Sequence, residues 1–414
     1  MRVAYLPGLF PVLSETPVVN QITGLVARGH EVSVFADRPV APGRYHESID
    51  RYRLLERTEY RPEIPRSLLQ RWGGLRHLIA GQEGASRSAL LRTLNPFIYA
   101  GRALSGKLAY QTVGFLPARS YDMIHGGFGE QGVKALRMKR LGAMHGPLVT
   151  AFQGADLTKY TRGRERVYAR LFREGDLFLP VSQFFANRLA DLGCPRDRIV
   201  VLRTGIDLRL FAFQPRQHSS TLRLVSVGRL VEKKAIDDAL KMVAGLDRLG
   251  IDVTYDIIGD GHLRPSLTQL AGELGISGRV RFLGSQDQDK LPALLAACHV
   301  LITPSVTAPS GDQEGIPNVI KEAMAAGLPV VGTRHAGIPE LIEHGVTGFL
   351  APEHDPAALT QAVRTLYEHP ETWGSLVAAA RARIEADYDI EKQNDRLVEI
   401  YHGVITARSR GASV

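Results

Sequence analysis

Apolar, β-branched runs alternate with helix-like segments along nearly all of this 414-residue chain. In the first half, strands are predicted at "RVAYLPGLF", "EVSVFAD", "YDMIHGGF", "PLVTAFQG", "DLFLPVS" and "RIVVLRTG". In the second half, the corresponding runs are "LRLVSVGRL", "VTYDIIGDG", "VRFLG", "HVLITPS", "PVVGTRH" and "GFLAP". Strands separated by helices in this way indicate parallel sheets. The predicted fold class is therefore α/β, with two Rossmann-like domains in tandem.

The domain boundary is predicted where this alternation breaks, over residues 203–222, which are rich in glycine, proline and polar residues. One hydrophobic core rarely supports a chain of this length. We predict a first domain over residues 1–205, a second over 206–385, and a C-terminal helix and tail over 386–414. The first domain is predicted to hold an irregular insertion at about residues 40–120.

The amino-acid composition limits the cellular locations that we expect for this protein. The chain is 44% hydrophobic and 23% charged, which is typical of a soluble globular protein. No apolar run approaches membrane-spanning length, and the N-terminus has no signal-peptide pattern. The two cysteines, Cys194 and Cys298, offer neither a disulfide framework nor a metal-ligand spacing. A reducing, cytoplasmic location is expected.

The net charge of +8 is concentrated in one segment. Between Arg38 and Arg119 there are 13 arginines and one lysine against six acidic residues, a local net charge of +8. Aromatic residues are interleaved with them, and "SLLQRWGGLRHLIAG" predicts an amphipathic helix. Such a segment suits an anionic membrane surface, but a solvated helical face would have the same pattern. No nucleic-acid-binding motif accompanies the charge, so nucleic acid is not an expected partner.

Two cations mark a candidate anion site in the second domain. In "SVGRLVEKKAI", Arg229 and Lys234 follow a strand and precede a helix, whose N-terminus is itself positive. This arrangement suits a diphosphate, although a capping arginine and a surface lysine would look alike. Gly259 and Gly261 follow the next strand and allow close backbone approach. The dinucleotide fingerprint is incomplete, because Arg264 occupies the third glycine position.

The stretch "GDQEGIPNVIKEAMAAGLPVV" contains two carboxylates. Glu314 is predicted in the loop before a helix that begins at Pro317, and Glu322 inside that helix. Each has a structural alternative: Glu314 as an anion near a helix dipole, and Glu322 as a solvated residue or a partner of Lys321. Ligands of such sheets bind at the carboxyl ends of the strands, so both are candidate site residues.

The same stretch resembles the signature of the retaining glycosyltransferases of family 4, which have the two-domain GT-B fold. "VGRLVEKK", "IIGDGHLR", "VRFLG", "HAGIPELIEHGVTGFL" and "YDIEKQNDRLVEIY" are similar to that family in the same order. The N-terminal "FPVLSETPVVNQITGLVARGHEVSVFA" resembles the bacterial exopolysaccharide branch, of the colanic acid and amylovoran type. The resemblance implies that the C-terminal helix crosses back onto the first domain.

The resemblance implies a metal-independent, retaining hexosyltransferase of polysaccharide biosynthesis, without a cofactor. A UDP- or GDP-type sugar is the expected donor, and a glycan or lipid-diphosphate-linked glycan the acceptor, at the inner membrane face. Arg229 and Lys234 would bind the diphosphate, Glu314 the sugar and Glu322 the ribose. Further implied donor-binding residues are Gly228, Gly259, Gly261, His262, Phe282, Leu283, Gly284, Gly315, Ile316, Pro317, Asn318 and Val319. Across the cleft, the loop bearing Gly8, Ser14, Glu15 and Thr16 would close over the donor.

Two positions depart from the family pattern. Many members have His-x-His where this chain has His125 and Gly127, and His-Gly where it has Gln153 before Gly154. His125 is either a catalytic group near the donor sugar or a strand-end histidine with a structural role. Gly127, Gln153 and Asp156 are expected on the acceptor side. A non-catalytic nucleotide-sugar-binding protein and a GT-B epimerase remain alternatives, whereas the incomplete fingerprint argues against a dehydrogenase.

Overall fold

The computed structural model describes residues 1–12, 16–39 and 47–411. The strands are β1 Arg2–Gly8, β2 Glu31–Ala36, β3 Thr58–Tyr60, β4 Arg119–Ser120, β5 Met123–Gly126, β6 Met144–His145, β7 Leu148–Phe152, β8 Leu177–Pro180, β9 Leu222–Val227, β10 Val253–Ile258, β11 Val280–Gly284, β12 Val300–Thr303, β13 Val330–Thr333 and β14 Phe349–Ala351. The helices are α1 Thr16–Ala27, α2 Glu47–Arg51, α3 Leu68–Ala80, α4 Gly84–Arg92, α5 Pro96–Tyr99, α6 Gly101–Leu104, α7 Lys107–Val113, α8 Gly129–Leu141, α9 Ala169–Glu174, α10 Gln183–Asp191, α11 Ile236–Arg248, α12 Arg264–Glu273, α13 Leu291–Ala296, α14 Asn318–Ala325, α15 Ile338–Leu341, α16 Pro356–Glu368, α17 Trp373–Asp387 and α18 Ile390–Gly411.

Two parallel sheets, each with helices between its strands, form two Rossmann-like domains. In the described part of the chain, the first sheet has the order β3-β2-β1-β5-β7-β8 and the second β11-β10-β9-β12-β13-β14. The central strands β5, β12 and β13 are buried along their whole length. Burial on both faces explains why β12 and β13 are apolar runs rather than alternating ones. The predicted α/β class with two such domains is confirmed.

One predicted strand is wrong. The run "RIVVLRTG" is extended but forms no strand of the sheet. Val200 and Leu202 donate backbone hydrogen bonds to the carbonyls of Phe178 and Pro180, and an isolated bridge joins Ile199 to Phe178. The segment lies half-buried along the edge of β8, with Leu202 buried, before the chain leaves the first domain. Conversely, the short edge strand β3 was not predicted.

The chain crosses between the domains twice, and the two crossings are bonded to each other. Ile206 donates its amide to the carbonyl of Tyr388 at 2.9 Å, and Ile390 donates to the carbonyl of Ile206 at 3.0 Å. Helix α18 then packs on the first domain, where Leu397 and Tyr401 join its core. The predicted return of the C-terminal helix to the first domain is confirmed.

Helices α18 and α1 are in close contact at Gly24. A Cβ atom at that position would overlap the side chain of Asn394. We expect Gly24→Ala to lower the free energy of unfolding by about 1–3 kcal/mol, the usual cost of overpacking. Gly403→Ala is the matched control, because that exposed glycine of α18 has open space around it. Urea denaturation should show the control unchanged or slightly stabilised; equal stability of both variants would contradict this packing.

The basic insertion is helical, and α3 confirms the predicted helix in this segment. Leu75, Leu90 and Ala109 form a small core of its own. On its outer side, several large apolar side chains are exposed, including Leu69 at 85% and Phe97 at 97%. Trp72 donates its indole N–H to the carbonyl of Leu104 at 3.2 Å, which joins α3 to the end of α6. No helix in the described residues is both long and apolar enough to cross a membrane.

Candidate active site

A cationic cluster lies at the carboxyl ends of the second sheet, facing the first domain. After β9, Gly228 and Arg229 lead into a short 3-10 turn, Glu232–Lys234, that precedes α11. The Lys234 ammonium lies 3.2 Å from Glu314 Oε1. Gly228 makes room for this lysine, since a Cβ there would press on the Lys234 side chain. Two residues predicted to act on one donor, Lys234 and Glu314, are therefore in contact.

Lys233 is a second cation of this cluster, and it was not predicted from the sequence. Lys233 Nζ lies 3.3 Å from the Asp312 carboxylate and 3.6 Å from Glu314 Oε1. Burial alone would raise the pKa of Glu314, but Lys234 and Lys233 outweigh it and hold this pKa below its usual range. Glu314 is thus ionised at neutral pH. Its carboxylate can accept hydrogen bonds from hydroxyl groups, and a bound anion would compete with it for the two ammonium groups.

The loop that carries Glu314 is held by a buried histidine. The Glu314 amide donates to His335 Nε2 at 3.0 Å, and His335 Nδ1 lies 2.7 Å from Glu353 Oε1. Nε2 must therefore accept and Nδ1 carry the proton, which fixes the neutral tautomer. Glu353 also accepts the amide of Thr307 at 2.7 Å. His335 lies two residues after the end of β13, and a polar residue close to that strand end was the signal that could have identified it.

Backbone packing explains two of the predicted glycines. A Cβ atom at Gly259 would overlap the carbonyl oxygen of Gly228, and one at Gly261 would overlap that of Leu230. Leu230 also donates its amide to the Asp260 carbonyl at 2.9 Å. The close approach that these glycines permit is therefore between the loops after β9 and β10. It fixes the backbone on which Arg229 and Lys234 stand.

Glu322 occupies a different position from Glu314. It lies in α14, is only 6% exposed, and has no hydrogen-bond or ion-pair partner for its carboxylate among the described residues. Burial raises its pKa to about 7, against the opposing effect of Lys321. The buried Lys321 donates to the carbonyl and hydroxyl oxygens of Thr204 at 2.8 and 2.7 Å. The adjacent lysine is thus tied to the first crossing between the domains rather than to Glu322.

The predicted acceptor-side residues lie together across the cleft. Gln153 Nε2 donates to the carbonyl of Gly127 at 3.0 Å, so the two positions that depart from the family pattern contact each other. Asp156 accepts the amides of Gln153 and Gly154 at 3.2 and 2.8 Å, and its other oxygen accepts that of Gly129. Its carboxylate therefore orders two loops. Burial raises the pKa of Asp156, although these amide bonds oppose the shift.

The two sides of the cleft approach each other at Gly315. A Cβ atom there would lie 2.9 Å from the carbonyl oxygen of Gln153. Arg162 of the first domain also donates to the carbonyl of Pro309 at 2.9 Å. Glu314 is thus next to the point where the loops of both domains meet, which is where a donor and an acceptor could be brought together.

His125 lies in the interior of the first domain, not on the surface of the cleft. Its ring is fully buried, stacks on Tyr5 with centroids 4.5 Å apart, and has Nδ1 2.6 Å from the Tyr401 hydroxyl. Burial lowers its pKa to about 3, so the ring is neutral. Of the two interpretations that the sequence left open, this position favours a structural histidine that joins β5 to α18.

The remaining predicted residues surround the cluster. Arg229 is exposed, and the exposed His262 lies 2.9 Å from Glu232. Phe282, Leu283 and Gly284 end β11, where Gly284 accepts the amide of Gly259. Helix α14 begins with Asn318 and Val319; it is preceded by Ile316 and by Pro317, its N-cap residue. Gly8 ends β1 and Thr16 begins α1, whereas Ser14 and Glu15 lie outside the described residues. Across the described ranges, no group of three or more His, Cys, Asp or Glu residues is arranged to hold a metal ion.

Comparisons with known proteins cover both domains. A Glycosyltransferase Family 4 model matches residues 14–210, and a Glycosyl transferases group 1 model matches residues 211–383. The putative colanic acid biosynthesis glycosyltransferase WcaL of Escherichia coli K12 is 33% identical over 97% of this chain and 99% of its own. The chain belongs to glycosyltransferase family 4.

A second relative is similar over nearly the whole chain, and solved structures share its fold. The amylovoran biosynthesis glycosyltransferase AmsK of Erwinia amylovora is 34% identical over 97% of this glycosyltransferase and 99% of its own chain. The crystal structure of Anabaena Alr3699/HepE in complex with UDP has a TM-score of 0.71, with 22% identity over 97% of this chain and 100% of that one. The sucrose-phosphate synthase of Thermosynechococcus elongatus has a TM-score of 0.69 at 17% identity, covering 98% and 100%. These structures show the GT-B fold.

Proposed function

We propose that this glycosyltransferase moves a hexose from a nucleoside-diphosphate sugar to a glycan of a bacterial polysaccharide, with retention of configuration and without a metal ion. The observation that carries the proposal is the contact of Lys234 and Lys233 with Glu314 at the cleft. The colanic acid and amylovoran names of the relatives support the polysaccharide role, and the Anabaena complex with UDP-glucose supports the donor class.

The cluster fits the chemistry of glycosyl transfer. Breaking the bond between sugar and diphosphate places negative charge on the leaving phosphate, and preformed cations stabilise that charge best in a site shielded from water. Arg229 and Lys234 supply the cations, with amides at the start of α14 beside them. In our proposal, Glu314 exchanges its contact with Lys234 for hydroxyl groups of the donor sugar. Glu322, whose carboxylate lacks a described partner, accepts the ribose hydroxyls.

Transfer of labelled sugar by the pure protein tests this function. A thermal-shift screen of UDP, GDP and their sugars identifies the donor first, because a ligand of the native state raises the melting temperature. The identified donor, with polysaccharide repeat acceptors, should then give a product that keeps its anomeric configuration and still forms in EDTA. Nucleotide binding without transfer or hydrolysis would favour the binding-only alternative. Loss of activity in EDTA would contradict metal independence.

Glu322 predicts a pH dependence of nucleoside binding. With a pKa of about 7, raised by burial, its carboxylate is mostly ionised at pH 8 and mostly protonated at pH 6. An acid with a raised pKa loses its negative charge as the pH falls through that value, so affinity should drop by about tenfold over this interval. Uridine or guanosine is the suitable ligand for calorimetry, because neither carries a titrating phosphate. The same pH dependence in Glu322→Gln would contradict the assignment.

We also propose that the helical insertion contacts an anionic membrane, close to a lipid-linked acceptor. Leu69 and Phe97 are exposed by 85% and 97% within the segment of net charge +8. In a vesicle sedimentation assay with anionic lipids, Leu69→Glu/Phe97→Glu should weaken binding at least about tenfold, since apolar insertion and charge attraction are both reduced. Leu249→Glu, in the second domain, is the control. Equal binding of the double variant and wild type would contradict this contact.

A further inference from the structure

A cavity of about 580 Å³ opens on the first domain beside the cleft, at the carboxyl end of β1 and the first turn of α8. Gly8 and Glu130 line one side, and the segment after Asp156 lines the other. Arg162 from this segment reaches the carbonyl of Pro309 at 2.9 Å, so the cavity adjoins the second domain. Asp156 belongs to the cavity wall and also holds the Gly154 loop that faces Gly315.

Three cations surround this cavity. Lys159, Arg162 and Arg164 all line it, all are exposed, and none has an ion-pair partner within the described ranges. The Arg164 guanidinium lies 5.7 Å from the centre of the Tyr160 ring, which orients it at the cavity. They lie outside the basic segment of residues 38–119 and were not predicted from the sequence.

The acids on the wall do not balance these charges. The Asp156 carboxylate already accepts three backbone amides, from Gly129, Gln153 and Gly154. Its charge still counts, so two acids, Asp156 and Glu130, oppose three cations, and the wall keeps a net charge of +1. A concave surface with an excess of one charge concentrates ligands of the opposite charge, and guanidinium groups bind carboxylate and phosphate oxygens in pairs.

We propose that this cavity binds the acceptor through an anionic group, a carboxylate or phosphate, held by Lys159, Arg162 and Arg164. The inference rests on the proposed transferase function. With the anion fixed in the cavity, the sugar that carries it extends toward Gly154 and the cleft, where its hydroxyl group can approach the donor near Glu314. The anion can be a uronate within the glycan or the diphosphate of a lipid carrier, since the same cations suit both.

Calorimetry with three soluble probes tests the cavity. Cellobiose and cellobiouronic acid differ by one carboxylate, and geranyl diphosphate supplies a lipid-type diphosphate. Each is titrated into the full chain, with and without the nucleotide found by thermal shift. We expect at least one anionic probe to bind ten or more times more tightly than cellobiose, with an affinity that falls as salt rises. The preferred anion then identifies the source of the charge.

Matched variants locate the binding. Lys159→Gln/Arg164→Gln should reduce that preference about tenfold or more, with nucleotide binding unchanged as evidence of an intact fold. Arg166→Gln removes a charge from the same segment but outside the cavity, and should bind like wild type. Equal affinity for all probes, no binding of any probe, or a preference that survives in the double variant would overturn the inference. Failure of the wild type to bind any nucleotide would instead overturn the proposed function, while the titrations without nucleotide still test the cavity.

Discussion

Lys234→Ala is expected to lower turnover about 100- to 1,000-fold, the usual cost of removing one preorganised group that stabilises charge in the transition state. Lys234 stands over Gly228 on a backbone fixed by Gly259, and its ammonium reaches Glu314 at 3.2 Å. Because the lysine is already in place, little reorganisation is needed when the leaving phosphate becomes negative. The rate of transfer from the donor, measured at saturating donor, is the quantity to compare.

Lys241→Ala is the control for this variant. Lys241 carries the same charge on α11 but pairs with Asp237 and Asp238, away from Glu314. It should retain near-normal turnover. If Lys234→Ala also kept near-normal turnover, with an unchanged melting temperature, the proposed role of the cationic cluster would be wrong.

Glu322→Gln is expected to weaken nucleotide binding about 10- to 100-fold. Hydrogen bonds to a charged group contribute about 1.5–3 kcal/mol, and a buried carboxylate with free acceptor positions can take both ribose hydroxyls. The amide has nearly the same shape but loses the charge and presents N–H groups to one hydroxyl. Calorimetric titration of the nucleotide at pH 8, where the wild-type carboxylate is ionised, measures the difference.

Two comparisons separate this effect from a general loss of stability. Glu273→Gln alters an exposed carboxylate of α12 and should leave affinity unchanged. The 2′-deoxynucleotide should bind wild type more weakly, yet lose little further affinity in Glu322→Gln. A full additional loss for the deoxynucleotide would show that Glu322 does not contact that hydroxyl.

The strands of the second domain could be predicted from the sequence, because they are mostly apolar runs that alternate with helical segments and end at glycine or polar residues. Glu314 and Lys234 could be assigned to loops at the same edge of the sheet for the same reason. Their contact could not be predicted, nor could the part played by Lys233, because both depend on the turn before α11. The run "RIVVLRTG" was misread because a half-buried, extended edge segment has the composition of a strand.

The first domain was less predictable. In β5, every residue is buried, so alternation could not show which face His125 occupies, and its contact with Tyr401 joins positions 276 apart in sequence. The bond between Gln153 and Gly127 depends on the pairing of β5 with β7. The cavity cations were missed because Lys159, Arg162 and Arg164 lie in an irregular segment, which has no periodicity to place them.

The hydrogen bonds between the two crossings limit how one domain can turn relative to the other. Ile206 is hydrogen-bonded to both Tyr388 and Ile390, so the two chain segments that connect the domains lie side by side. Two segments joined in this way can bend together, but a twist between the domains would break the backbone hydrogen bonds that join them. We therefore expect any relative motion of the two domains to be a bend at Ile206 rather than a twist. Such a bend would bring Gly315 and Gln153 back into the same alignment at each closure.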